Sequence, residues 1–177
     1  MIGALTQNRR KKTIMSTAEV TSKTITIDHI RIASKHPFAV VRAAIEADLP
    51  RLDPSIIPML RSGDRDGIKN FEDNGPKLFI FLDRDHGELL TIVGQKRNAI
   101  QYEIGNPITA STMTRHDLGA ALYAPLRVAL FETADGEVVF EYDRPSSFFG
   151  QFADERVTEV GRYLDRELEA ALLKAAG

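Results

Sequence analysis

Leu126-Arg127-Val128-Ala129-Leu130-Phe131, then Asp135-Gly136, then Val138-Val139-Phe140-Glu141-Tyr142 is the stretch that decides the fold. Leu126, Val128 and Leu130 alternate with Arg127, Ala129 and Phe131, the period of a strand with one buried face. Asp-Gly accepts the positive φ angles of a tight hairpin, and Val138, Phe140 and Tyr142 carry the same period back. The spacing predicts a two-stranded antiparallel ribbon with one apolar side. Val157, Val160, Leu164, Leu168 and Leu172 then recur at helical spacing, predicting a long helix over 154–175 whose stripe, joined by Gly161, covers that side. Glu155 and Glu159 come early and Lys174 late, as the helix dipole prefers.

Upstream, Thr24 to Ile27 and Ile30 to Ile32 alternate like a half-buried strand. Pro37 suits the first turn of a helix, and Phe38, Val41, Ile45 and Leu49 form its stripe until Pro50 ends it. Asp53-Pro54 predicts a cap and a short helix through Leu60, followed by a loop over 62–67. Lys77 to Asp83 is densely apolar, and is expected as a strand covered on both faces. Arg84-Asp85-His86-Gly87 is expected as a turn, with Leu89 to Val93 returning as partner strand and Ala99 to Ile104 as a third. Asn106 caps and Pro107 opens a short helix through about Arg115. The resulting order, β-α-(α)-βββ-(α)-ββ-α, predicts an α+β fold: a single antiparallel sheet with helices packed on one face. Residues 23–177 are expected as one domain, and 1–22 as a disordered basic tail.

Composition narrows the function classes. The chain has 177 residues, enough for one well-packed core, and 23 Lys+Arg against 25 Asp+Glu give a net charge of −2. That balance offers no electrostatic reason for nucleic acid as a partner. Glu88, Glu103, Glu132, Glu137 and Glu141, expected on or beside the strands, point the same way. Cysteine is absent, which excludes disulfides and thiolate chemistry. Nothing is long and apolar enough for a membrane span. Arg9-Arg10-Lys11-Lys12 is not followed by the apolar run of a secretory signal; the segment is expected either as a disordered tail or as an upstream start with Met15 as the working initiator, and the cytoplasm as the compartment.

At 105–146 several short strings occur in order: Gly105-Asn106-Pro107, Ala110-Ser111-Thr112-Met113, Ala124-Pro125-Leu126-Arg127, Asp135-Gly136 and Tyr142-Asp143-Arg144-Pro145-Ser146. Together they resemble the domain of unknown function 302 family, and Asp85-His86-Gly87 resembles its longer subgroup. The resemblance runs over about 24–173. It implies a curved antiparallel sheet with helices on one face, similar to the TATA-binding protein, and homodimers. It implies no activity, no cofactor and no catalytic residue.

The chain has no nucleotide-binding glycine motif and no serine-hydrolase elbow. Arg127 alternates out of phase with Leu126 and Val128, so it is expected on the sheet face away from the helices, with Glu141 or Glu103 as its carboxylate partner. With Tyr102, Tyr123, Tyr142 and Asn106 it is the candidate ligand-binding set, for a small molecule held on the open sheet face of a homodimer. A metal-dependent enzyme built on His86, His116 and Asp117 is the alternative, provided the two segments converge. A structural dimerisation module, joined through Phe148, Phe149 and Phe152, is the third reading.

Overall fold

The protein is described by a computed structural model covering residues 18–177. The basic cluster Arg9–Lys12 and the alternative start Met15 lie outside the described residues. Residues 18–22, the described part of the expected tail, are exposed and form neither helix nor strand.

Five strands form one antiparallel sheet in the order β1-β5-β4-β3-β2. They are β1 (His29–Ser34), β2 (Phe79–Asp85), β3 (Ala99–Gly105), β4 (Leu126–Glu132) and β5 (Val138–Asp143). The α-helices are α1 (Phe38–Asp48), α2 (Ile56–Ser62), α3 (Arg65–Asn74), α4 (His86–Leu89), α5 (Pro107–Thr114), α6 (Pro145–Phe149) and α7 (Glu155–Ala176). Among the described residues no helix is long and apolar enough to cross a membrane.

The β4–β5 ribbon pairs as its alternation requires: Val128 and Leu130, opposite Tyr142 and Phe140, are buried. Val157, Leu164, Leu168 and Leu172 of α7 pack into the same core, beside Val41 and Ile45 of α1. Asp154 caps α7, its side chain accepting the Arg156 N–H at 2.9 Å, and separate hydrogen bonds from the Arg156 guanidinium hold the carboxyl down at about 2. Gly161 is the contact point of α6 on α7, for a Cβ there would lie 2.9 Å from Ser146 Cα.

Three upstream elements differ from expectation. The first strand begins at His29, leaving Ile25 packed on the core from an irregular segment. The expected loop at 62–67 is the junction of α2 and α3: Gly63 adopts φ 68°, and the Asp64 side chain accepts the Gly67 N–H at 3.0 Å. The expected strand at 89–93 is helical. Asp85 caps α4 by accepting the Glu88 N–H at 2.8 Å, and a 3-10 turn over Leu90–Val93 closes at Gly94, φ 72°. The place beside β2 expected for that segment is taken by β3. β3 already has β2 and β4 on its two edges, and the outer edge of β2 is partly covered where Ile80 exchanges backbone hydrogen bonds with Pro50 and Leu52.

Candidate functional site

Arg127 does stand on the open face, paired across the sheet with Glu103. Charge alternates there strand by strand: His29 and Arg31 on β1, Glu141 and Asp143 on β5, Arg127 on β4, Glu103 on β3 and Arg84 on β2. Most of these neighbours satisfy one another. Arg84 binds Glu103 at 2.8 Å, while Glu141 is shared between His29 at 3.4 Å and Arg31 at 3.5 Å. His29 also meets Asp143 at 3.0 Å, and that hydrogen bond chiefly raises its pKa. Both carboxylates expected to hold Arg127 are therefore engaged elsewhere, and it is exposed.

The tyrosines do not join it. Tyr102 pairs with Val128, and Val128 with Tyr142, so both face the helices. Tyr102 is fully buried and donates to Glu46 of α1 at 3.0 Å; Glu46 also accepts from Arg42, which reaches Asp85 at 3.4 Å. Burial and the Glu46 carboxylate push its phenol well above the ordinary range. Tyr142 lies 3.5 Å from Glu169 of α7, and burial first, then that carboxylate, push it up to about 12. Tyr123 stacks on Phe148 at 4.9 Å and meets Phe149 and Phe152 edge-on. The ligand-binding set thus divides between two sheet faces and a separate aromatic cluster. The phase already showed part of this, since Tyr102 and Tyr142 share the phase of the buried apolar residues of their strands and Arg127 does not.

A pH dependence follows. A phenol that holds its proton more tightly in the folded chain than in the unfolded one stabilises the fold fully below the unfolded pKa of about 10. That contribution fades as pH rises through the folded value of about 12. Urea midpoints are expected to fall over this window, and to fall less in Tyr142→Phe; an equal decline in both proteins would contradict the placement of Tyr142.

His86 and His116 lie far apart. His86 follows the last residue of β2, whereas α5 and His116 follow Gly105, which pairs with the first. Six residue steps of strand, roughly 20 Å at about 3.3 Å each, run between those ends. His116 lies near Asp154, the cap of α7, at the Gly105 end. Asp117 is occupied in accepting the Gly119 N–H at 2.7 Å, which caps a 3-10 turn over Leu118–Tyr123. Among the described residues no group of three His, Cys, Asp or Glu could hold a metal ion. The metal centre expected from His86, His116 and Asp117 does not assemble, because the strand between them separates the two imidazoles.

What does assemble is a cleft of about 240 Å³ at the Gly105 end of the sheet, on the helix side. Gly105-Asn106-Pro107, Thr109 with Ala110 and Met113, and Ala124-Pro125-Leu126 supply most of its wall. The Ala124–Pro125 peptide is cis. Phe149 and Leu164 contribute from α6 and α7, and Phe81 from β2. Phe81 gets there through a register shift between Ile80 and Leu82, a bulge that re-aims one side chain. Its ring would lie 3.5 Å from a Cβ at Gly105, so the glycine leaves the space open. The uninterrupted apolar run from Leu78 to Leu82 was the only sequence signal for this residue.

No lining side chain ionises. Asn106 is spent on structure: its oxygen accepts the Ile108 and Thr109 N–H groups, and its amide donates to the Pro76 and Lys77 carbonyls. Its cap also occupies the α5 N-terminus, which therefore offers no anion site. Ser111, Thr112 and Thr114 each donate back to an α5 carbonyl. Thr109 keeps its hydroxyl uncommitted among the described residues and is the polar handle of the cleft.

A family model described as domain of unknown function DUF302 matches residues 70–175, the region containing every wall segment named above. A crystal structure of an uncharacterized conserved protein DUF302 from Bacillus stearothermophilus is similar in fold, with a TM-score of 0.61 at 13% identity. The likeness covers 83% of this chain and 97% of that one. No curated protein matches the chain.

Proposed function

This chain belongs to the DUF302 family of domains of unknown function, and from that premise we propose that it binds a small molecule by its apolar body in the cleft at the Gly105 end of the sheet. One observation carries the reading: three segments separated in sequence, 105–107, 109–113 and 124–126, supply the wall of one apolar cleft. Side chains that only packed a core would be expected to close it, since interiors tolerate few voids larger than a water molecule. An apolar cavity of about 150 Å³ accepts a benzene ring; this one, at about 240 Å³, has room for a somewhat larger group. Thr109 supplies orientation, and burial of apolar surface supplies affinity.

The test is a thermal-shift series with indole as probe. At about a hundredfold excess over Kd, a ligand stabilises the native state by about 2.7 kcal/mol. Ala110→Leu projects a larger side chain into the cleft from α5, and is expected to abolish that shift while leaving the ligand-free protein folded. Arg127→Ala, on the far face, is expected to keep the full shift. An indole shift retained in Ala110→Leu, or absent from the wild type, removes the proposal.

A further inference from the structure

Resting on that reading, we infer that Gly105 selects the ligand: the cleft takes a flat, uncharged ring, laid against the bare backbone of Gly105 beside Phe81 and Pro125. Three glycines are buried among the described residues, Gly87, Gly105 and Gly161. Two of them answer to packing. An added Cβ would lie 2.1 Å from the Arg97 carbonyl oxygen at Gly87 and 2.9 Å from Ser146 Cα at Gly161. Gly105 has no such reason. Its φ lies outside the left-handed region, and a Cβ there would meet Phe81 Cε2 at 3.5 Å and Pro125 Cα and Cβ at 3.7 Å. Those are ordinary contact distances between carbon atoms, so the fold itself has room for alanine.

Glycine weakens a strand and packs nothing, and in a strand it often marks a place where another group comes close to the backbone. Gly105 is the last residue of β3, and Phe81 and Pro125, which flank its missing side chain, are wall residues of the cleft as it is. The group that comes close is therefore the occupant of the cleft. A flat ring meets a bare peptide with its face, whereas a saturated ring is held further off by its axial hydrogens. Phe81 and Phe149 add aromatic surface to the same wall, and rings associate favourably edge-on or offset. The absence of charge follows from the lining. No side chain there ionises, and the oxygen and amide of Asn106 are both engaged with backbone groups, so a buried ion would lose its water and gain no partner.

Calorimetric titration of the full chain with benzyl alcohol, cyclohexylmethanol and benzoate separates shape from charge. Apolar area alone favours the saturated alcohol. Benzyl alcohol is nevertheless expected to bind about fivefold tighter, the scale of one aromatic pair, and benzoate most weakly. Gly105→Ala is expected to keep the urea midpoint of the wild type or raise it slightly, and to weaken benzyl alcohol about tenfold by crowding the cleft. A lowered midpoint in Gly105→Ala gives the glycine a structural reason and removes its selective role. An unchanged benzyl alcohol affinity in that variant does the same, and leaves the cleft standing if Ala110→Leu still abolishes binding. Cyclohexylmethanol or benzoate binding the wild type as tightly as benzyl alcohol overturns the flat, uncharged ring. No binding of either alcohol or of indole to the wild type overturns the cleft as well.

Discussion

Gly87→Ala is expected to destabilise the protein by about 3 kcal/mol, the upper end of what overpacking usually costs. At an unconstrained helical position the same change stabilises by about 0.4–1 kcal/mol, because alanine narrows the unfolded ensemble. The sign is reversed at Gly87 by a close approach. A Cβ there would sit 2.1 Å from the Arg97 carbonyl oxygen and 3.0 Å from the Ala99 N, and both are backbone atoms that cannot swing aside. Relief requires α4 to move off the start of β3, weakening the Asp85 cap and the β2–β3 pairing beside it. Gly150 is the internal control: its φ is −61°, nothing lies within 4 Å of its added Cβ, and Gly150→Ala is expected to be neutral or mildly stabilising. Urea unfolding of the two variants decides the matter, through a lowered midpoint at constant slope for Gly87→Ala alone. If the two midpoints move alike, the packing of α4 on β3 is wrong. Asp85-His86-Gly87 is thereby given a structural meaning: the aspartate caps the helix and the glycine lets it touch the next strand.

Phe149→Ala is expected to cost about 3–5 kcal/mol, the range for deleting a buried aromatic ring. Phe149 is fully buried, lies 4.7 Å from the Phe148 ring and edge-on to Tyr123, and also forms part of the cleft wall. The truncation therefore removes core packing and enlarges the cleft together. The third reading of the sequence made this segment a dimer contact, and the two roles predict different behaviour. A core residue lowers the melting temperature equally at all protein concentrations, whereas a residue between subunits makes the loss depend on concentration. Phe149→Ala is expected to show the first pattern. A concentration-dependent loss, with the dilute protein unaffected, would return Phe149 to an interface.

The candidate site residues are not brought together, and for different reasons. Arg127 was placed on the correct face from its phase alone, but its grouping with Tyr102 and Tyr142 ignored that those residues share the phase of Val128 and Phe140. His86 and His116 carried no phase relation to each other, and only the length of β2 shows that they stand at opposite ends of the sheet. Asn106 was read both as a cap and as a ligand contact. Its hydrogen bonds make it a cap, and its neighbour Thr109 keeps the free hydroxyl.

Alternation and helical spacing determined the β4–β5 ribbon, the α7 stripe and the α1 stripe. Each of these depends on residues a few positions apart facing one direction, which the sequence records directly. Tertiary structure alone decided that 89–93 is helical although its composition suits a strand, with β3 in the place beside β2 expected for it. It also decided that Phe81 bulges toward Gly105, and that three strings up to 21 positions apart in sequence meet around one cleft. Such convergence is set by how the sheet and its helices close on each other, a sum of many weak contacts that no single stretch of sequence contains.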